Sequence, residues 1–285
     1  MIDTIDPGKS RSYYLPSLAG LPDGFAGSLV VMSDQPIAAN VNTENVAAGA
    51  GETADSPYRS GTAQAVSEPS YRLNFTQLMK DYSGWNSYMA VQNTSDNSAN
   101  ATIHYYNHSD GAEAAVEDIS IPPYATYILA QIDNADLPSG WMGSAVVTGD
   151  RLLAGTANFY QDGTSVSTSA LQSYNPFNTG ATKLFFPRLV KNYYGYEGGF
   201  SVQNVGASSV DVTIEYKFGS NTRYQTITDL QPGAAKGVYL PAVPELSGIA
   251  GTGSAIVTAS GGLIVATVNE SNGSLGHSTT YNAIP

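Results

Sequence analysis

The 285-residue sequence predicts an all-β chain of tandem antiparallel sandwiches. Three observations carry that reading: self-similarity at an offset of 111 residues (Leu73 against Leu184), period-two alternation of apolar residues, and turn signals about every 8 to 15 residues. No segment shows a sustained helical period. An offset of this length matches an ordinary domain, so each copy is expected to hold its own core.

From the N-terminus, residues 1–60 read as the back half of a repeat. Pro7 to Pro16 (PGKSRSYYLP) aligns with Pro232 to Pro241 (PGAAKGVYLP), predicting a turn and the strand after it. Gly27 to Val31 (GSLVV) returns as Gly143 to Val147 (GSAVV) and Gly253 to Val257 (GSAIV). A further strand, Ile37 to Asn42 (IAANVN), returns as Leu153 to Asn158 and Ile264 to Asn269, each ending on an Asn where the chain is expected to turn. Residues 61–70 (GTAQAVSEPS) and 177–182 (FNTGAT) carry no strand pattern and read as linkers.

The front half of a repeat comes next. Leu73 to Asn93 (LNFTQLMKDYSGWNSYMAVQN) is respelled as Leu184 to Asn204 (LFFPRLVKNYYGYEGGFSVQN). Then Val210, Val212, Ile214, Tyr216 and Phe218 alternate with Asp211, Thr213, Glu215 and Lys217, which predicts a strand with one buried face. Ala99, Ala101, Ile103 and Tyr105 hold the same register in the earlier copy. Met89, Val91, Val146, Phe200, Val202 and Ile256 join Ile103, Tyr105, Val212 and Ile214 as predicted core. About seven strands in about 100 residues suit an immunoglobulin-like sandwich better than a small barrel. The expected divisions are an incomplete, back-half repeat at 1–62 and full repeats at 63–178 and 179–285.

A net charge of −12 with 12 Lys plus Arg argues against nucleic acid and anionic membranes, and no apolar run reaches a membrane span. Cysteine is absent, which leaves stability to core burial. Pro7-Gly8-Lys9-Ser10 lacks the earlier Gly and the following helix of a phosphate loop and reads as a tight turn. His104 and His108 are about 13 Å apart along a strand, too far to share a metal; with His277 they read as solvent-facing. The acidic group Asp96, Asp110, Glu113, Glu117 and Asp118 has no calcium-loop spacing, and no G-x-S-x-G occurs. No enzyme, cofactor or metal is therefore expected. Trp85 and Trp141 are candidates for stacking on sugars, against a packing role. Asn74, Asn93, Asn100, Asn107, Asn269 and Asn272 open Asn-X-Ser/Thr triplets, acceptors in a glycosylating secretory route.

With these motifs in view, the chain resembles the repeats of large secreted surface proteins of bacteria, in which a front "LPLVxKNYYG…fSVQNxG" alternates with a back "PxGxxxxYLP…GSaVVTSdxPIAAxVN". Leu189 to Gly206 carries the front; Pro7 to Asn42, Pro122 to Asn158 and Pro232 to Asn269 carry the back. Thr148-Gly149-Asp150-Arg151 and Ala259-Ser260-Gly261-Gly262 depart from the usual turn, which Ser33-Asp34-Gln35-Pro36 keeps. The resemblance implies an immunoglobulin-like fold outside the cell and no enzymatic motif. The spare half at residues 1–60 is expected to present an apolar face led by Tyr14, Leu29, Val31, Ile37 and Val41, with open strand edges. Either the chain is cut from a longer array, or a neighbouring molecule completes the half. The second case predicts a head-to-tail homopolymer, an extracellular filament or surface layer built by inter-subunit strand complementation. The alternative is an adhesive or carbohydrate-binding accessory module with glycans as partners.

Overall fold

The computed structural model describes every residue except 1, 23, 24, 26, 46–58, 67, 162–169 and 276. The described residues form antiparallel strands and short 3-10 turns, with no α-helix among them. Two hydrophobic clusters organise the chain, one drawn from residues 73–174 and one from 184–283. We refer to these stretches as the first and second blocks.

The second block shows the plan plainly. One four-stranded sheet runs β10 (Lys183–Lys191), β15 (Gly251–Ala259), β12 (Val210–Phe218) and β13 (Asn221–Leu230). The other runs β14 (Ala235–Tyr239), β11 (Glu197–Asn204), β16 (Ile264–Asn272) and β17 (His277–Asn282). In β12, Val210, Val212, Ile214, Tyr216 and Phe218 are all buried, as the alternation predicts, because the pleat sends alternate side chains to opposite faces.

The first block repeats the pairing with one difference. Strands β3 (Ser70–Lys80), β4 (Trp85–Asn93), β5 (Ala99–Asn107), β6 (Glu113–Ile121), β7 (Thr126–Ala130) and β9 (Ala170–Tyr174) surround a single strand, β8 (Trp141–Gln161). The N-terminal part of β8 pairs with β3 and β5, and its C-terminal part pairs with β4 and β9. Its counterpart in the second block is broken between β15 and β16, where Gly261 adopts φ 83°. Asp150 and Arg151 in place of Gly261 and Gly262 leave the first copy without that break.

Several expectations are corrected. Residues 61–64 are not linker: they belong to β2 (Arg59–Gln64), which pairs with β1 (Asn40–Asn45). Asn42, Asn158 and Asn269 do not end their strands. Each sits within a hairpin, its Oδ1 accepting a hydroxyl from the partner strand: Thr62 at 2.9 Å, Ser173 at 2.6 Å and Thr280 at 3.0 Å. Core positions in the GSxVV motif are Ala145 and Val147, and Ala255 and Val257. Val146 and Ile256 lie one residue out of that register, on the outer face; Val146 is buried there, outside the first cluster, and Ile256 is half-buried.

Candidate assembly surface

The described residues between 2 and 39 keep the local turns of the two blocks but not their sheets. Gly8 (φ 72°) turns as Gly233 (φ 80°) does, with Lys9 N–H bonding Asp6 O as Ala234 N–H bonds Gln231 O. A 3-10 turn at Leu15–Ser17 matches the one at Leu240–Ala242. The strands predicted around Tyr14 and at Gly27 to Val31 do not form, because a strand's backbone groups need a neighbouring strand. In the blocks that neighbour comes from the front half: the GSxVV strand pairs with β3 and β5, or with β10 and β12.

The consequence falls on the predicted assembly residues. Leu29 is 68% exposed and Val31 57%, whereas Ala145, Val147 and Val257 are completely buried and Ala255 nearly so. Ile37 and Val41 are about half exposed; Leu153 and Ile264, Ala157 and Val268 at the same positions are completely buried. Tyr14 is 74% exposed and Tyr239, its counterpart, is also largely exposed, so Tyr14 is a surface position in both settings.

The two tryptophans part company. Trp141 is buried, edge-on to Tyr105 at 6.0 Å, with Nε1–H donating to Asn107 Oδ1 at 2.9 Å; a ring enclosed in this way offers no face to a sugar. Trp85 is half-buried and packs against the first cluster. The exposed rings at the hairpin tips are instead Tyr82, Tyr193 and Tyr194, the last two edge-to-face at 4.5 Å.

Five of the six candidate acceptor asparagines donate hydrogen bonds from their amide nitrogens; four of these lie buried or half-buried, and the fifth, exposed Asn100, reaches Asp150 Oδ2 at 3.4 Å. Asn93 Nδ2 donates to the carbonyls of Asn97, Ile121 and Pro122, as Asn204 Nδ2 donates to Ser208 and Leu230. The repeated Asn pins the end of its strand to the loop that follows. Asn74 Nδ2 holds Phe177 O, Asn272 Nδ2 holds Tyr194 O, and Asn269 Nδ2 holds Gln77 Oε1. Asn107 is half-buried beneath Trp141, and Asn100 is exposed.

The acidic group is dispersed. Glu113 meets His104 Nδ1 at 2.7 Å, Asp118 accepts from Thr102, and Glu117 accepts from Tyr105 Oη. No set of three metal-ligating side chains occurs among the described residues.

What the sequence did not announce is a polar seam between the blocks. The outer face of the β3–β8–β5 sheet lies against the outer face of the β14–β11–β16 sheet. Thr76 Oγ1 and Thr267 Oγ1 share a hydrogen bond at 2.7 Å, Ser144 Oγ donates to Gly233 O at 3.0 Å, and Gln203 Nε2, which also holds Gly233 O within its own block, donates to Ala145 O at 3.4 Å. Thr76, Ser144, Ser201, Gln203 and Thr267 are all completely buried.

His108 belongs to this seam and not to the solvent, correcting the reading from sequence. Its Nε2 lies 3.0 Å from Thr76 O and 3.3 Å from Ser201 Oγ, and its buried Nδ1 has no partner. Desolvation dominates and pulls its pKa down to about 4, the Thr76 carbonyl opposes that, and Lys236 adds to it. Gly237 makes the room: a Cβ there would sit 3.0 Å from Nδ1. Beside it runs an open groove of about 470 Å³, walled by residues 108–111 and by parts of β13 and β14. The one available signal was β3 itself, where polar Asn74 and Thr76 interrupt a strand whose other face is already apolar.

No protein-family model matches the chain, and no curated protein matches it. Among solved structures, that of Thermotoga maritima 1070 is similar at 15% identity and a TM-score of 0.33, over 39% of this chain and 95% of that one. An α-L-rhamnosidase of Streptomyces avermitilis, complexed with L-rhamnose, aligns at 12% identity and a TM-score of 0.20, over 76% of this chain and 26% of that one. Likeness at these scores assigns this chain neither a fold family nor an activity.

Proposed function

We propose that this chain is a non-catalytic structural protein of the cell exterior, made of immunoglobulin-like sandwich repeats of about 110 residues. Residues 63–178 and 179–285 are the complete repeats, and 1–62 is a half completed by a neighbouring subunit through strand complementation, head to tail, into a filament or surface layer. The observation that carries this is the exposure of Leu29, Val31, Ile37 and Val41 where both other copies of the same motif bury their counterparts. Burying such side chains is worth about 1.5–3 kcal/mol each, so four of them supply a substantial drive to find a partner. The placement outside the cell rests on the resemblance to secreted repeat proteins. Since both front halves are already paired, a neighbour contributes by edge-strand addition or by pairing sheet to sheet.

Sedimentation velocity over a concentration series tests this. The full chain should form species that grow with concentration, and Leu29→Asp with Val31→Asp, or removal of residues 1–62, should leave a monomer. A full chain that stays monomeric at high concentration, or variants that assemble equally well, would overturn it. The second reading, an adhesive or carbohydrate-binding module, is favoured by the exposed Tyr193 and Tyr194 pair. Specific binding on a glycan array that is lost with Tyr194→Ala would support that reading instead.

A further inference from the structure

The seam between the blocks is the second of two similar contacts. Ser28 occupies the position of Ser144, and Tyr124 (φ 57°) the position of Gly233. Ser28 Oγ donates to Tyr124 O at 3.2 Å, the same bond that Ser144 Oγ makes to Gly233 O across the seam. Strand β2 lies against β9, and β9 in turn lies against β17. The N-terminal half is therefore seated on the first block as the first block is seated on the second. Each contact joins two different faces, and a contact of that kind propagates without closing on itself.

Among the described residues, one face of each type remains exposed. At one end it is the outer face of the β10–β15–β12 sheet, where exposed Phe185 and Pro187 and half-buried Ile256 stand in place of the buried Asn74, Thr76 and Val146. At the other it is the outer face of the β1–β2 hairpin, where Asn40 stands in place of Thr267.

We propose that these two faces dock on each other between copies of this chain, the β1–β2 hairpin of one molecule lying across β10 of the next in the geometry of the internal seam. The occupant is a second copy because both halves of the contact are present in every molecule and the seam already shows how they fit. This rests on the head-to-tail reading above and specifies its geometry. The new contact lacks the seam's histidine, since Gly219 replaces His108 and Ser12 replaces Gly237.

The absence of cysteine makes the test clean. Thr76 and Thr267 touch at 2.7 Å, so Thr76→Cys with Thr267→Cys should close a disulfide within one chain and report the seam geometry. The repeat equivalents are Pro187 and Asn40. Full-length Pro187→Cys and full-length Asn40→Cys, mixed and oxidised, should give a covalent dimer of the two. Tyr224→Cys, exposed on β13, should give none with Asn40→Cys. Assembly of the mixture without a 40–187 link would overturn this docking and leave the head-to-tail reading standing. A mixture that never self-associates would overturn both.

Discussion

Acidification should unlatch the seam through His108. With Nε2–H donating to Thr76 O, the ring's free position is Nδ1, which is buried without an acceptor, so a second proton has nowhere to bond. Around the ring, β3 presents Thr76, β8 Met142, β11 Ser201 and β14 the cation Lys236, whose Nζ donates to His108 O at 3.3 Å. The folded-state pKa of about 4 lies below the ordinary 6.5, so between these values the unfolded chain binds more protons than the folded one. Stability is therefore full above about pH 6.5 and falls as pH drops toward 4. At about 1.4 kcal/mol per tenfold change, the whole fall is worth roughly 3 kcal/mol. Urea unfolding of the wild type and of His108→Gln across pH 4 to 7 measures it, and subtracting the two curves removes the carboxylates and the other histidines. The wild type should lose stability relative to the variant on acidification, by up to about 1.4 kcal/mol per pH step. A difference that does not change with pH over that window would refute the argument.

Asn93→Ala, or Asn204→Ala in the other copy, strips donors from buried loop carbonyls and should cost about 2–4 kcal/mol in chemical denaturation, more than an exposed control such as Asn100→Ala. Thr76→Val leaves a hydroxyl buried at the seam and should cost about 1–3 kcal/mol, while the double change with Thr267→Val should recover much of the loss; calorimetry of the full cycle checks the coupling. Expressed through a glycosylating secretory host, folded protein should carry glycan at exposed Asn100 and none at Asn93 or Asn272; peptide mapping reads this out. Trp141→Phe should lower stability and leave any glycan binding unchanged, since the indole N–H is spent on Asn107.

Pattern alone determined the strands whose information is local. The alternation of Val210 to Phe218 fixes which face is buried because a pleated strand has no other way to sort its side chains. Repetition at a fixed offset likewise marked the residues with a folding role before any contact was known, and Asn93 and Asn204 turn out to pin equivalent loops. The GSxVV register was misjudged by one residue, since five apolar and small residues in a row carry no alternation to read. His108 and Thr76 could not be placed from sequence because their burial comes from a second sheet face more than 90 residues away, and only docking brings Ser201 and Thr267 to them. The N-terminal segment shows the division most sharply. Its turn at Gly8, its 3-10 turn and its Asn42–Thr62 hairpin form from short-range bonding, while Gly27 to Val31 has the sequence of a central strand and is not one. A strand is completed by its neighbours, and those neighbours are a matter of tertiary structure.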